Sequence, residues 1–448
     1  MGEFQIKKGR DIRIKGAALK ELAELSLPDY VAIQPQDFRG IKPRLAVKEG
    51  DIVKAGSTLL TDKNNPDIRI VAPVSGTVTT VKRGDKRVLL QIVIKTDGRN
   101  DAVALPPVSS AEIQKLSREK AIARLLEGGL WPVIRQRPFS KIANPSDKPK
   151  AIFVQAMNTE PLAPDVDFIL KEKQAEFQAG LDVLRHLTQG QVHLCYHKDA
   201  ESKTFINAHN VQKHRFSGPH PAGNVSTHIH RIDPINKGDI VWYLEAQDVI
   251  RIARIFLNGS FSAERIVAVT GEGVEKRRYV RTVMGAPVKD LAGRAQEGMR
   301  YISGSILKGA DVGHGGFLGF YDAQLTVIPE GGKRKLLGWI APGVNAYSFS
   351  KTFVSSFLPE KESSLDTDKY GSDRAIVFNH VYDELVPLDI MTFFLLRAVI
   401  SGDIEEAEKL GILECDEEDF ALCSFACPSK TDVGGIIRSG LDIIEKEG

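Results

Sequence analysis

Apolar residues change their spacing three times along this chain, and each change implies a different way of burying them. Up to about residue 100 they come in short alternating runs broken by Gly and Pro. Leu45-Ala-Val-Lys-Glu-Gly-Asp-Ile-Val turns at Gly50-Asp51, and Ile68-Arg-Ile-Val-Ala-Pro-Val turns near Ser75-Gly76. Period-two alternation with such turns predicts an all-β, barrel-like unit over 1–100. From 101 to 258, strand-like runs (Ala151–Val154, Val192–Tyr196, Asp239–Leu244) alternate with helical spacing (Ala111–Glu127, Phe168–Leu187, Ala246–Leu257). That alternation predicts a mostly parallel, doubly wound α/β domain. Over 259–370 the β pattern returns at Arg265–Val274 and Arg278–Val288, predicting a small sheet with a packed helix. Within it, Glu360–Gly371 is polar and reads as a mobile loop. The segment 371–448 reads as helical, with the acidic stretch Asp403–Asp419 on a solvated face.

Charge and cysteine content narrow the class. Sixty Lys and Arg nearly balance 58 Asp and Glu, so the chain lacks the basic excess of a nucleic-acid binder. Four cysteines in 448 residues are too few for a secreted disulfide scaffold and point to a reducing compartment. Ile390–Ile400 is the most apolar stretch, but Arg397 interrupts it, and it is far short of the roughly 20 residues of a spanning helix. The first residues have neither an apolar run nor a cleavage site, so no signal peptide is expected.

Four groups of residues could carry chemistry. Lys63 follows Asp62 between two turn-rich strands, as the acylated lysine of a lipoyl or biotinyl carrier does; Pro66 and a spacing two residues longer favour an unmodified lysine. Eight of the ten histidines fall between His186 and His230. Alternation puts His193, Cys195 and His197 on one strand face, with His228 and His230 a second alternating pair. Such residues can begin a metal site, but no CxxC pair completes one, so they fit better as the lining of a polar cleft or subunit contact. Near the C-terminus, Cys423, Cys427 and Pro428 keep the end of the C-x2-C-x2-C-x3-C-P run that holds an iron–sulfur cluster. Glu417 and Phe420 stand where the first two cysteines would be, and Cys415 is out of register. That predicts a structural helix-turn without a cluster. Finally, Gly271-Glu-Gly273 and Gly313-His-Gly-Gly316-Phe-Leu318-Gly319 fail to complete G-x-G-x-x-G. The turn after Ala151–Val154, Gln-Ala-Met-Asn158, has no glycine at all, so no standard dinucleotide loop is present.

Several segments together resemble the A subunit family of the sodium-pumping NADH:quinone oxidoreductases. They include Gly129-Leu-Trp131, Arg137-Pro-Phe-Ser-Lys141, Ala156-Met-Asn158-Thr-Glu-Pro161, Thr227-His-Ile-His230, Gly338-Trp-Ile-Ala-Pro-Gly343 and Cys423…Cys427-Pro428. They run in order along essentially the whole chain. The resemblance implies a lipoyl-like barrel-sandwich domain, a Rossmann-like α/β domain, an SLBB-like β-grasp domain and a C-terminal helical region. It implies a peripheral component on the cytoplasmic face of a bacterial membrane, contacting the other subunits of a complex, the membrane-embedded B subunit among them. The holoenzyme passes electrons from NADH to ubiquinone or menaquinone and exports sodium, with its flavins, iron–sulfur centre and NADH site carried elsewhere. Related flavin-binding subunits have a Gly-rich loop where this chain has Gly129–Lys141, with bulky and charged residues replacing glycines. The expected role is therefore a scaffold without a redox cofactor or catalysis of its own. A contribution to a quinone site would fall to Trp131, Phe139, Lys141, His193, His228 and His230. The competing readings are a stand-alone flavin or NAD oxidoreductase and a lipoyl or biotinyl carrier.

Overall fold

The computed structural model describes residues 2–99, 101–332, 338–344, 346–359, 361–377 and 380–447, with Trp339 described by its backbone alone. Its centre is a seven-stranded sheet in the order Gly2–Gln5, Gln212–Ser217, Gln191–His197, Ala151–Ala156, Val241–Glu245, Arg135–Arg137, Lys141–Ile142. The first five strands run parallel and the last two are antiparallel additions. The period of two along Ala151–Ala156 sorts the packing. Ile152, Val154 and Ala156 join a core with the helices Gln174–Arg185 and Ala246–Leu257. Ala151 and Phe153 face Val225 and Ile229 of the helix Val225–Ile232. Both faces are covered, which is why these strands read as continuous apolar runs.

The barrel-sandwich pairs a four-stranded sheet (Tyr30–Ile33, Leu89–Thr96, Gly76–Arg83, Ile52–Val53) with a three-stranded one (Pro43–Leu45, Thr58–Asp62, Arg69–Val71). The extreme N-terminus serves other units: Gly2–Gln5 edges the central sheet, and Leu19–Glu24 pairs with Arg278–Val283. That second pairing completes a six-stranded sheet with Glu264–Thr270, Gln324–Pro329, Met299–Ser303 and Ala310–Asp311. The short helix Val288–Ala292 packs on it through Val288 and Leu291. The helices Val381–Leu385, Thr392–Ser401, Ile404–Lys409, Ala421–Ala426 and Val433–Glu447 close the molecule around a separate core that also takes in Ile12 and Ile14.

Several elements differ from their sequence outline. The helical pattern Ala111–Glu127 divides into Ser110–Ile113 and Arg118–Glu127, because Ser117 stops to cap the second helix by accepting from the Lys120 amide. Phe168–Leu187 divides into Val166–Ile169 and Gln174–Arg185 around Glu172, whose φ is +67°. Ala246–Leu257 is helical over the expected span. In the polar segment after Glu360, itself outside the described residues, Ser363 is stitched to Arg13 and Lys15 by backbone hydrogen bonds.

Candidate functional site at the switch point of the parallel sheet

In chain order the four inner parallel strands lie 3-2-1-4, so the connections reverse direction between Ala151–Ala156 and Val241–Glu245. A doubly wound sheet opens a crevice at the carboxyl ends of the strands on either side of such a reversal. A cavity of about 260 Å³ lies there. Gln155 and Glu245, at the ends of the two strands, form its floor, and Arg135 comes from the neighbouring antiparallel strand. The β-grasp domain supplies Lys308, Tyr321, Asp322 and Gln324, the C-terminal region Asp416, Glu417 and Glu418, and the N-terminal domain Asp37 and Arg39.

Ion pairs fill most of the site. Arg39 meets Glu417 at 2.8 Å, and Lys308 spans Glu160 at 2.9 Å and Glu418 at 3.2 Å. Behind the wall Arg137, 1% exposed, reaches Glu418 at 2.9 Å and Asp416 at 3.3 Å. Arg438 pairs with both Asp416 and Glu417. Burial and surrounding charge separate the carboxyls. Glu418 is desolvated, yet the attraction of Lys308 and Arg137 overcomes this and holds it below the usual range. Asp419 is pushed up by burial, with Glu418 adding repulsion. Burial raises Asp37 to about 7, against the opposing hydrogen bond from the Phe320 amide.

The stretch Gly129–Lys141 does not form an open phosphate cradle. The amides of Gly129, Leu130, Val133 and Ile134 already donate to the carbonyls of Leu126, Leu125, Leu130 and Trp131. Gly129 has φ +68° and lies so close to the barrel that a Cβ there would meet Val71 at 2.3 Å. At the start of the helix Ala246–Leu257, where a phosphate would profit from the helix dipole, the capping position is held by Glu245, an anion itself. The residues present do not fit a flavin phosphate.

The six residues named from sequence occupy separate places. Trp131 is fully buried, edge-on to Trp242 at 5.4 Å, and its indole donates to Ala143 O at 2.6 Å. Phe139 and Lys141 stand half-buried at the crevice rim, next to the lining residues Ser140 and Ile142, with the Lys141 ammonium 5.4 Å from the Phe139 ring and paired with Glu445. His193 is on the opposite face of the sheet and shares a 3.0 Å hydrogen bond with His214. The expected strand pair His228 and His230 is helical, within Val225–Ile232, so the two point different ways. His228 is fully buried and bonds Ala222 O at 3.0 Å, while His230 donates from Nδ1 to Glu414 at 2.7 Å and accepts from the Asp389 amide. Apolar alternation and helical spacing are easily confused over three residues; Asn224 holds the N-cap position, where Asn is favoured, although its side chain donates to Glu418 and Asp419 rather than capping the helix.

Sequence reasoning did not single out Arg135, Lys308, Asp37 or Gln324. Each comes from a different stretch of the chain, so no motif links them.

Among the described residues no group of three or more His, Cys, Asp or Glu could hold a metal ion. Cys423 and Cys427 are buried in the C-terminal core, where Tyr382 donates to the Cys427 sulfur at 2.9 Å. Lys63 is exposed at the tip between Thr58–Asp62 and Arg69–Val71. The Asp62 carboxylate fixes that turn by accepting from the amides of Lys42, Asn64 and Asn65.

Known proteins align along the chain. Residues 4–97 match the family model of the NqrA N-terminal barrel-sandwich hybrid domain, 116–261 that of the NqrA second alpha/beta domain, and 266–313 that of the NQRA C-terminal domain, of SLBB type. The A subunit of the Na(+)-translocating NADH-quinone reductase of Neisseria gonorrhoeae is 43% identical, covering 99% of this chain and all of that protein. Those of Neisseria meningitidis and Yersinia pestis are 42% and 40% identical with the same coverage. Among solved structures, an NAD+-reducing [NiFe]-hydrogenase is 12% identical with a TM-score of 0.38, and the match covers 75% of this chain and 64% of that one.

Proposed function

The chain belongs to the family of the A subunit of the Na(+)-translocating NADH-quinone reductase, and from that premise we propose that it is a scaffold holding no redox cofactor of its own. It is part of an oxidoreductase complex that couples electron transfer from NADH to quinone with sodium translocation. The observation that carries the scaffold reading is the Gly129–Lys141 stretch. The amides of Gly129, Leu130, Val133 and Ile134 are spent on the backbone, Gly129 is pressed against Val71, and Arg137 is locked to Asp416 and Glu418. Two of the four cysteines of a cluster run are replaced, and the two that remain lie in a packed core.

Among the described residues no helix is long and apolar enough to cross a membrane. This supports a peripheral position, which we place on the cytoplasmic face, against the membrane-embedded B subunit and the other members of the complex. The absorption spectrum of the purified chain tests the cofactor-free reading. The expected result is protein absorbance alone; a stoichiometric flavin or iron–sulfur band overturns it.

A contact with quinone is best supported at the crevice rim, where Phe139 offers a ring and Lys141 a cation 5.4 Å from it. Phe139→Ala in the whole complex is expected to raise the KM for quinone. An unchanged KM removes this chain from the quinone site.

A further inference from the structure

Among the described residues, every basic side chain around the crevice has a carboxylate partner except one. Arg39, Lys308, Arg137 and Arg265 pair with Glu417, Glu160, Glu418 and Asp248. The Arg135 side chain makes no hydrogen bond or ion pair with any described residue, and its Nε is buried without a partner. It is held instead between two rings, 4.6 Å from the centroid of Tyr243 and 4.7 Å from that of Tyr321. Stacked rings fix the plane of a guanidinium and leave its edge for in-plane acceptors. The side chain as a whole is only partly buried, and leaving its buried Nε without an acceptor is costly.

Gln324 lines the same crevice and is 3% exposed. Its amide nitrogen donates to Pro161 O at 3.0 Å and to Thr326 Oγ1 at 2.9 Å. A carbonyl can only accept, so the Pro161 bond fixes which end is nitrogen. The Gln324 Oε1 acceptor is thereby left buried and without a donor. The crevice is therefore lined by a guanidinium and by an amide whose hydrogen-bonding capacity the protein itself leaves partly unused.

Charge and size limit what can answer both. The lining has seven carboxylates against three basic side chains, so a phosphate dianion meets about twice the repulsion that a singly charged carboxylate does. At about 260 Å³ the cavity is smaller than the roughly 300–1,000 Å³ of a drug-sized pocket. We propose that this crevice is a binding site for a small monocarboxylic acid that also carries a hydroxyl or amino donor, with Arg135 gripping the carboxylate and Gln324 Oε1 accepting from the donor.

Isothermal titration of the full-length chain tests this with four probes: lactate, glycine, propionate and inorganic phosphate. Saturable binding is expected for lactate or glycine, with a Kd at or below about 1 mM. Propionate keeps the carboxylate but lacks the donor and should bind about tenfold more weakly, the worth of one hydrogen bond. Phosphate should give only heat of dilution. Arg135→Lys keeps the charge against the rings but loses the fork, and should weaken binding at least about tenfold. Gln324→Met should abolish the preference over propionate, an independent readout should the first variant fold poorly. The proposal is overturned if neither lactate nor glycine saturates, if phosphate binds more tightly than both, or if folded Arg135→Lys binds as the parent does.

Discussion

Arg137 donates to Glu418 across 2.9 Å, joining two residues 281 positions apart and fastening the Gly129–Lys141 stretch to the C-terminal region. The contact lies behind the crevice wall, with Asp416 Oδ2 at 3.3 Å from the same guanidinium and Ser140 donating to that same oxygen at 2.8 Å. The stretch is thus held shut by a buried clamp to the C-terminal region.

The clamp makes Glu418 a stability residue. Glu418→Ala leaves Arg137, 1% exposed, with Asp416 alone and Lys308 with Glu160 alone. Stranding a buried charge altogether costs about 3–5 kcal/mol, and here each cation keeps one partner. Urea denaturation of the isolated chain should show a loss below that range. The double variant Glu418→Ala/Arg137→Met should recover part of it, because the half-paired charge is gone; a double variant less stable than the single contradicts the clamp.

Acid should act on stability through the buried histidines. Burial lowers His193, His214 and His220 to about 4 and His228 to about 3. A histidine with a depressed folded pKa binds its proton more readily in the unfolded chain, so stability is full above about pH 6.5 and falls as pH drops toward 4. Asp37, Asp419, Asp290 and Asp322, raised by burial, act in the opposite sense, since the folded state holds their protons up to a higher pH than the unfolded chain does. Four imidazoles thus oppose four carboxyls, and the imidazole contribution is read by difference. Between pH 6.5 and 4 the melting temperature of the parent should fall relative to that of His228→Asn. Parallel profiles contradict the burial of this imidazole.

Trp131 should behave as a core residue. Trp131→Phe strands the Ala143 carbonyl, at about 1–3 kcal/mol for an unsatisfied buried group, and loosens the contact with Trp242. The melting temperature should fall while the quinone KM of the assembled complex stays as it was. A folded variant with an altered KM puts Trp131 in contact with quinone after all.

Lys63 should remain a plain lysine. Its turn is closed by three amide bonds to Asp62, a structural purpose that needs no acyl arm. Intact-mass spectrometry of the chain from its native host should match the unmodified sequence. An increment of lipoyl or biotinyl size at Lys63 reverses that reading.

Local pattern by itself determined the class of each unit. Alternation, helical spacing and glycine turns are properties of neighbouring residues, so the barrel-sandwich, the parallel strands and the helix Ala246–Leu257 could be read without coordinates. The same holds for what is missing, since two absent cysteines and the absent glycines are visible as letters. The tertiary structure alone decided which residues meet. Nothing in the spacing of Asp37, Arg135, Lys308, Gln324 and Glu418 announces that five segments converge on one crevice, because convergence depends on strand order and domain docking, to which neighbouring residues are blind. It also separated the six aromatic, basic and histidine candidates: whether a polar side chain serves a cleft or a core depends on what packs against it, and those partners lie far away in the sequence.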